Sequence, residues 1–210
     1  MIKFFLLFLL SINLYASKVF NIEENFKKHD SSNYIYYIED IQNRSTSKDI
    51  LHSKKLNLAK NTHRGISTGA FWTRIKIHNT SNGFQDLVLF NSLAGTNEID
   101  VYIYKNNKLI KKHILGDLRK QNQREILSRY SMFRLQLEKN EKVTILAKVK
   151  NYYLHNIGWD IQKNIDFLKS ESNKLFIFAM LMGAVVLFAL YNILAYKTYK
   201  EFSFFLIALN

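Results

Sequence analysis

The chain has 210 residues, no cysteine and no proline, and 30 Lys plus Arg against 17 Asp plus Glu, a formal net charge of +13. Without cysteine it excludes a disulfide framework and a thiolate zinc site, so any exported part must be held together by a buried core. The positive charge bears on solubility and association rather than on a particular site, and with abundant Lys, Asn, Ile and Phe it fits the composition of an AT-rich bacterial genome.

At the N-terminus Lys3 precedes the apolar run 4–10, and the small pair Ala16 and Ser17 follows. This predicts a secretory signal over residues 1–16, with a retained anchor as the alternative because Leu14 is larger than a cleavage site prefers. Residues 17–33 are read as a leader segment ahead of the first domain.

From residue 34 the apolar pattern has a period of two. Over 71–78, Phe71, Thr73, Ile75 and Ile77 fall on one face and Trp72, Arg74, Lys76 and His78 on the other. Similar runs occur at 34–40, 86–90, 98–104, 108–114, 130–137 and 142–150, and turn-like stretches at 79–83, 93–97, 105–107 and 138–141 separate them. The spacing predicts a mainly β, antiparallel sandwich over 34–168, within which 42–60 is polar and shows no clear period.

Residues 169–174 read as a juxtamembrane linker, or as the first turn of the helix that follows. The stretch 175–196 holds 22 residues without a formal charge. As a helix it is about 33 Å long, enough to cross a hydrocarbon core. A polar turn, 197–201, carries Lys197 and Lys200 and is expected on the cytoplasmic side. A second apolar run begins at 202–210 and is expected to open a second transmembrane helix of a longer protein. This order exports residues 17–173, a region of net charge +10.

The candidate ligand groups lie on the strands and on one long connection. Trp72, Arg74 and His78 share a strand face, where an aromatic plane beside hydrogen-bonding cations suits a sugar ring or an acidic ligand. Packing is the other reading: Trp72 in a core and Arg74 paired at the sheet edge. Arg124 and Arg129 lie on the connection 116–129, as binding groups or as solvated loop charges. Gly65-Ile66-Ser67-Thr68-Gly69 fits the G-x-S-x-G pattern of a hydrolase. That elbow needs a helix after the serine, whereas here a strand pattern follows, so the glycines are expected to shape a loop. The six histidines are scattered, and no paired carboxylates or phosphate-cradling loop stand out. No catalytic residue, metal or cofactor is therefore expected.

Several of these residues also carry a resemblance. Gly65, the run Phe71-Trp72-Thr73-Arg74, Asn79, the run Ile99-Asp100-Val101-Tyr102, Gly116-Asp117 followed by Arg124, and the strand 143–149 resemble the type 2 extracellular domain of the seven-transmembrane receptors with diverse intracellular signalling modules (7TMR-DISM). Gly183, the pair Tyr191-Asn192 and the short basic turn before the next aromatic-rich run are similar to the opening of that family's seven-helix unit. The resemblance implies a jelly-roll β-sandwich akin to carbohydrate-binding modules, then membrane helices, then a cytoplasmic output module such as a histidine kinase or diguanylate cyclase. It leads to the expectation of a bacterial inner-membrane receptor with residues 17–173 in the periplasm. The expected partners are a small ligand or glycan and membrane lipid, without nucleic acid, and a homodimer formed through membrane and output parts beyond this sequence. A tethered glycan-binding or adhesion module and an exported hydrolase using Ser67 are the rival readings.

Overall fold

Alternation of side chains along each strand builds the described part of the first unit, residues 17–164, around two packed sheets. The computed structural model describes residues 17–91, 93–126 and 128–209; the expected signal segment 1–16 lies outside them. In chain order the strands are β1 (Val19–Ile22), β2 (Lys28–Asp30), β3 (Tyr36–Asp40), β4 (Asn57–Leu58), β5 (His63–Ile66), β6 (Ala70–Asn79), β7 (Gln85–Phe90), β8 (Glu98–Lys105), β9 (Lys108–Leu115), β10 (Met132–Leu137), β11 (Lys142–Lys150), β12 (Leu154–Asn156) and β13 (Asp160–Lys163). A short helix, α1 (Ser47–His52), interrupts them between β3 and β4.

The larger sheet runs in the order β4-β3-β6-β11-β8-β9, and β1 joins it parallel to the far half of β6. The smaller sheet runs β10-β7-β13-β2, and β12 pairs with β5. Between the two larger sheets lies the core. Phe71, Ile75, Ile77, Val101, Ile103, Val143 and Ile145 project from one side, and Leu87, Leu89, Phe133, Leu135 and Ile161 from the other. Each such side chain contributes about 1.5–3 kcal/mol when fully buried.

Two departures from the sequence reading have simple causes. Residues 17–33 are not a separate leader: the four-residue alternation of β1 buries Phe20 and Ile22 in the core, too short a run to stand out as a period. The polar stretch 42–60 contains α1, whose six residues are too few for a helical period. Its start is fixed by a capping box, in which Thr46 and Asp49 satisfy each other's backbone N–H groups.

Buried amides hold the ends of the sandwich. At the end of β6 the Asn79 side chain donates to the carbonyls of Gly83, Leu137 and Glu138 and accepts from Ser81. Gly116 opens the long connection at φ 108, pressed so closely on Asn97 and Glu98 that a Cβ would collide with their backbone.

The second unit, residues 165–210, is helical. Helix α2 (Asn164–Tyr199) has 36 residues, about 54 Å of helix, and α3 (Phe202–Leu209) follows. Residues 169–174 are helical rather than a separate linker, because Ile165 to Lys174 offer no glycine or proline to break the helix. Asp166 sits in its first turn, where it complements the helix dipole, and Glu171 pairs with Lys174 at 2.7 Å. Beyond Lys174 most apolar side chains are exposed, among them Leu175, Phe178, Leu187 and Ile193, while Ala195 is buried. The helix is long and apolar enough to cross a membrane. It ends at Lys200, whose φ of 55 leaves the helical region.

Candidate functional site

The same alternation that fills the core sends a second set of residues to the outer face of the larger sheet. On β6 these are Trp72, Arg74, Lys76 and His78; on β11, Lys142, Thr144, Leu146, Lys148 and Lys150; on β8, Glu98, Asp100, Tyr102 and Tyr104. Strand register ranks them across the sheet: Trp72 opposite Lys148 opposite Asp100, then Arg74 opposite Leu146 opposite Tyr102, then Lys76 opposite Thr144 opposite Tyr104.

The middle of this face is covered. Ile50 of α1, Leu56, Trp72, Tyr104 and Leu146 form a second apolar cluster. Trp72 is only 1% exposed, stacks on Tyr102 at 5.8 Å and donates its indole N–H to Asp40 Oδ2 at 3.4 Å. Arg74 donates from Nη1 to the carbonyls of Ile50, Leu51 and Ser53 at 3.3, 3.1 and 3.0 Å. These belong to the C-terminal turn of α1 and the residue just past it, where the guanidinium adds a donor to end carbonyls, among them Ile50 O, which also accepts the Ser53 N–H. Trp72 is closed off and supports a floor, and Arg74, half-buried, fastens α1 to the sheet. Burial holds the Arg74 guanidinium below its usual range.

His78 stands half-buried on the outer face opposite Lys142. Arg124 is also structural, donating to Gly116 O at 2.7 Å, Asp117 Oδ1 at 3.2 Å and Ser128 O at 3.3 Å, so it ties the long connection to itself. Arg129 lies over the ring of Tyr130, with its guanidinium carbon 4.7 Å from the centroid, and donates to the Tyr130 hydroxyl. The five candidate side chains are thus spread over the covered middle of the face, one of its ends and a loop.

What the fold does bring together is a concavity of about 250 Å³ beside Trp72, lined by Asn43, Glu98, Asp100, Arg119, Lys148 and Lys150. Register places Lys148 against Asp100 and Lys150 against Glu98, so acids and bases alternate across two strands. Arg119 enters from the connection after Gly116, with Nη2 at 3.1 Å from Glu98 Oε2 and 3.6 Å from Asp100 Oδ1. Its side chain is 32% exposed, so these pairs are wet and exchange readily for ligand hydroxyls or charges. Its Nε is buried without an acceptor among the described residues.

The walls are built from below. Lys148 lies 5.7 Å from the centroid of the Trp72 ring, which fixes where its ammonium stands. Asp40 accepts from the N–H groups of Arg44 and Ser45 and from Trp72, shaping the loop that carries Asn43 at φ 54. Burial alone would raise the Asp40 pKa, but these hydrogen bonds prevail and hold it below the ordinary carboxylate value. At the same end Tyr152 and Tyr153 are 63% and 75% exposed. The Tyr152 N–H donates to Asn97 Oδ1, which ties this turn to the residue before β8.

Ser67 does not sit on a nucleophile elbow. It lies between β5 and β6, strand to strand, where its hydroxyl donates to Glu39 and accepts from the Gly69 N–H. Among the described residues no group of three His, Asp or Glu converges to hold a metal.

The family described as "7TMR-DISM extracellular 2" matches residues 32–162, from the turn before β3 into β13. A search of the curated proteins finds no match. Among solved structures the chain is similar to the pre-peptidase C-terminal domain of a collagenase from Bacillus anthracis, at 6% identity over 71% of this chain and 98% of that one, with a TM-score of 0.29. A family 35 carbohydrate binding module from Clostridium thermocellum is similar at 12% identity over 60% and 88%, with a TM-score of 0.28. A CBM35 from Paenibacillus barcinonensis is similar at 13% identity over 66% and 100%, also with a TM-score of 0.28. Because the family match takes in more than half of the residues, the chain belongs to the 7TMR-DISM extracellular 2 family, as the extracellular sensor domain of such a receptor, followed here by a long apolar helix.

Proposed function

We propose that the chain is the periplasmic ligand-sensing part of a bacterial inner-membrane receptor, with residues 17–173 outside the membrane and an output module such as a histidine kinase or diguanylate cyclase encoded beyond the membrane helices. The ligand is a small saccharide or sugar acid bound in the concavity of Asn43, Glu98, Asp100, Arg119, Lys148 and Lys150. Alternating donors and acceptors across the hollow suit a polyhydroxylated ring, whose hydroxyls can both accept from the lysines and arginine and donate to the carboxylates.

The observation that carries this reading is the path out of the sandwich. Strand β13 is hydrogen-bonded on both sides, to β7 and to β2, and the residue after its last one begins α2. A ligand with higher affinity for one arrangement of the sheets shifts the population toward it, and β13 hands that shift to α2 without an intervening loop.

The test uses the absence of native cysteine. Ser170→Cys places a single fluorophore on α2 in the full chain, reconstituted in lipid nanodiscs and titrated with a panel of monosaccharides and uronic acids. One class of sugar is expected to bind and to change the probe's emission, and Asp100→Asn with Lys148→Gln is expected to abolish both. A panel without any binding sugar overturns the saccharide assignment, while binding that leaves the probe unchanged overturns the coupling.

A further inference from the structure

A second concavity opens on the same outer face, on the other side of the apolar cluster. It encloses about 210 Å³ and is lined by Lys76, Lys142, Thr144, Tyr104, Asn106 and Asn107, with apolar atoms beneath them. Thr144 lies in register between Lys76 and Tyr104, and Lys142 follows two residues away on the same strand face. Asn106 and Asn107 close it as the β8–β9 turn, at φ 49 and 61, left-handed values that asparagine tolerates.

Its charge differs from that of the first concavity. There Glu98 and Asp100 face the lysines; here the residues in register are threonine, tyrosine and histidine. Glu141, next in sequence to Lys142, is taken by Lys105 at 2.7 Å. Among the described residues neither Lys76 nor Lys142 has an ion-pair partner. Burial, and then the nearby Arg74, hold the Lys76 ammonium below the usual lysine range, the direction expected of a cation lacking a counter-charge.

Two ammonium groups without carboxylates, in a hollow that also offers hydroxyl and amide donors, match a compact anion with several acceptor oxygens. We propose that this concavity binds a phosphoryl group. It lies toward the end of the sandwich where the chain departs: Asn79 closes β6 there against Leu137, and Asn164, the first residue of α2, donates to Asp86 one residue from the Gln85–Leu137 pair. The phosphoryl group can come from a phospholipid head group or from a dissolved phosphate ester, since both present the same oxygens. The site shares no residue with the sugar concavity, so either can fail without the other.

The experiment measures thermal unfolding of the full chain in nanodiscs of phosphatidylcholine, titrated with inorganic phosphate against chloride at equal ionic strength. Phosphate is expected to raise the unfolding midpoint beyond chloride, as a ligand of the native state does. Lys142→Gln, which alters an exposed side chain, and Lys76→Gln are each expected to weaken the apparent phosphate affinity about tenfold. Lys60→Gln, elsewhere on the surface, is expected to leave it unchanged. Repeating the titration in phosphatidylglycerol nanodiscs separates the sources: a lipid ligand removes the phosphate response by occupying the site, and a dissolved ester leaves it intact. Equal effects of phosphate and chloride, or a full response in Lys142→Gln, would overturn the proposal.

Discussion

The inner and outer faces of the larger sheet are made from alternate residues of the same strands, yet they have opposite fates. On the inner face Phe71, Ile75, Ile103 and Ile145 meet the smaller sheet and exclude water almost completely. On the outer face α1 and its apolar cluster cover the middle, and on either side of that cover charged groups line open hollows. A second sheet turns one set of side chains into a core, and a single helical turn and a half leaves the other set free for ligands. The difference teaches that the covered middle of the outer face is a divider, so its loss should disturb both hollows at once.

Removing the divider should have the largest effect. Trp72→Ala deletes a fully buried ring from between α1 and the sheet and leaves Asp40 and Lys148 without their support, at a cost of about 3–5 kcal/mol. Urea unfolding of the detergent-solubilised chain checks the magnitude. If the loss stays below about 1 kcal/mol, as for a surface site, the divider is not packed as described.

The inner face has a weak point of its own. His113 projects from the edge strand β9 toward Phe133, 5.0 Å between ring centroids, and is 6% exposed. Burial, and then Lys111, lower its pKa from 6.5 to about 4, although Glu125 at 3.2 Å pulls the other way. Since the folded value lies below the unfolded one, the fold prefers the neutral ring. That preference is fully present above about pH 6.5 and is lost as the pH falls through 6.5 toward 4, by about 3 kcal/mol in all. Replacing His113 by Gln should flatten this part of the stability profile, leaving the carboxylate losses at lower pH, and denaturant midpoints measured between pH 7 and 4 read the difference.

Both faces were legible in the sequence in unequal degree. The alternation over 71–78 assigns Trp72, Arg74 and His78 to one face correctly, and the run 142–150 coincides with β11 to the residue. What covers that face was not legible, because α1 is too short for a period; the Thr46 and Asp49 pair was its one local signal. The hollow beside Trp72 depends on β8 and β11 meeting in a register that sets Asp100 against Lys148, a pairing between residues 48 apart in the chain. Taken singly, Glu98, Asp100, Arg119, Lys148 and Lys150 look like ordinary solvated charges, so composition offers no reason to choose them. The place of Arg124 on a long connection suggests a binding group, whereas the connection uses it to close on itself.

Releasing α1 while keeping Trp72 in place should have an intermediate effect. Arg74→Met retains much of the stem but removes the guanidinium donor from the carbonyls of Ile50, Leu51 and Ser53, of which Ile50 keeps the Ser53 N–H, and this costs about 2 kcal/mol. Amide exchange should quicken first over residues 47–53, with the inner-face strands still protected; uniform acceleration across the sandwich would show that the helix and the sheet do not open separately.

The smallest effect on stability belongs to the rim. Asp100→Asn removes one partner of Arg119, whose closer bond to Glu98 remains, and a part-exposed pair of this kind is worth about 0–1 kcal/mol. Sugar binding should respond far more than folding, because the lost carboxylate is an acceptor in the hollow and Arg119 is then free to swing toward Glu98. A fall in sugar affinity of about tenfold or more, with the urea midpoint nearly unchanged, is therefore expected. If the midpoint falls as far as the affinity, Asp100 belongs to the packing of the outer face and not to its open chemistry.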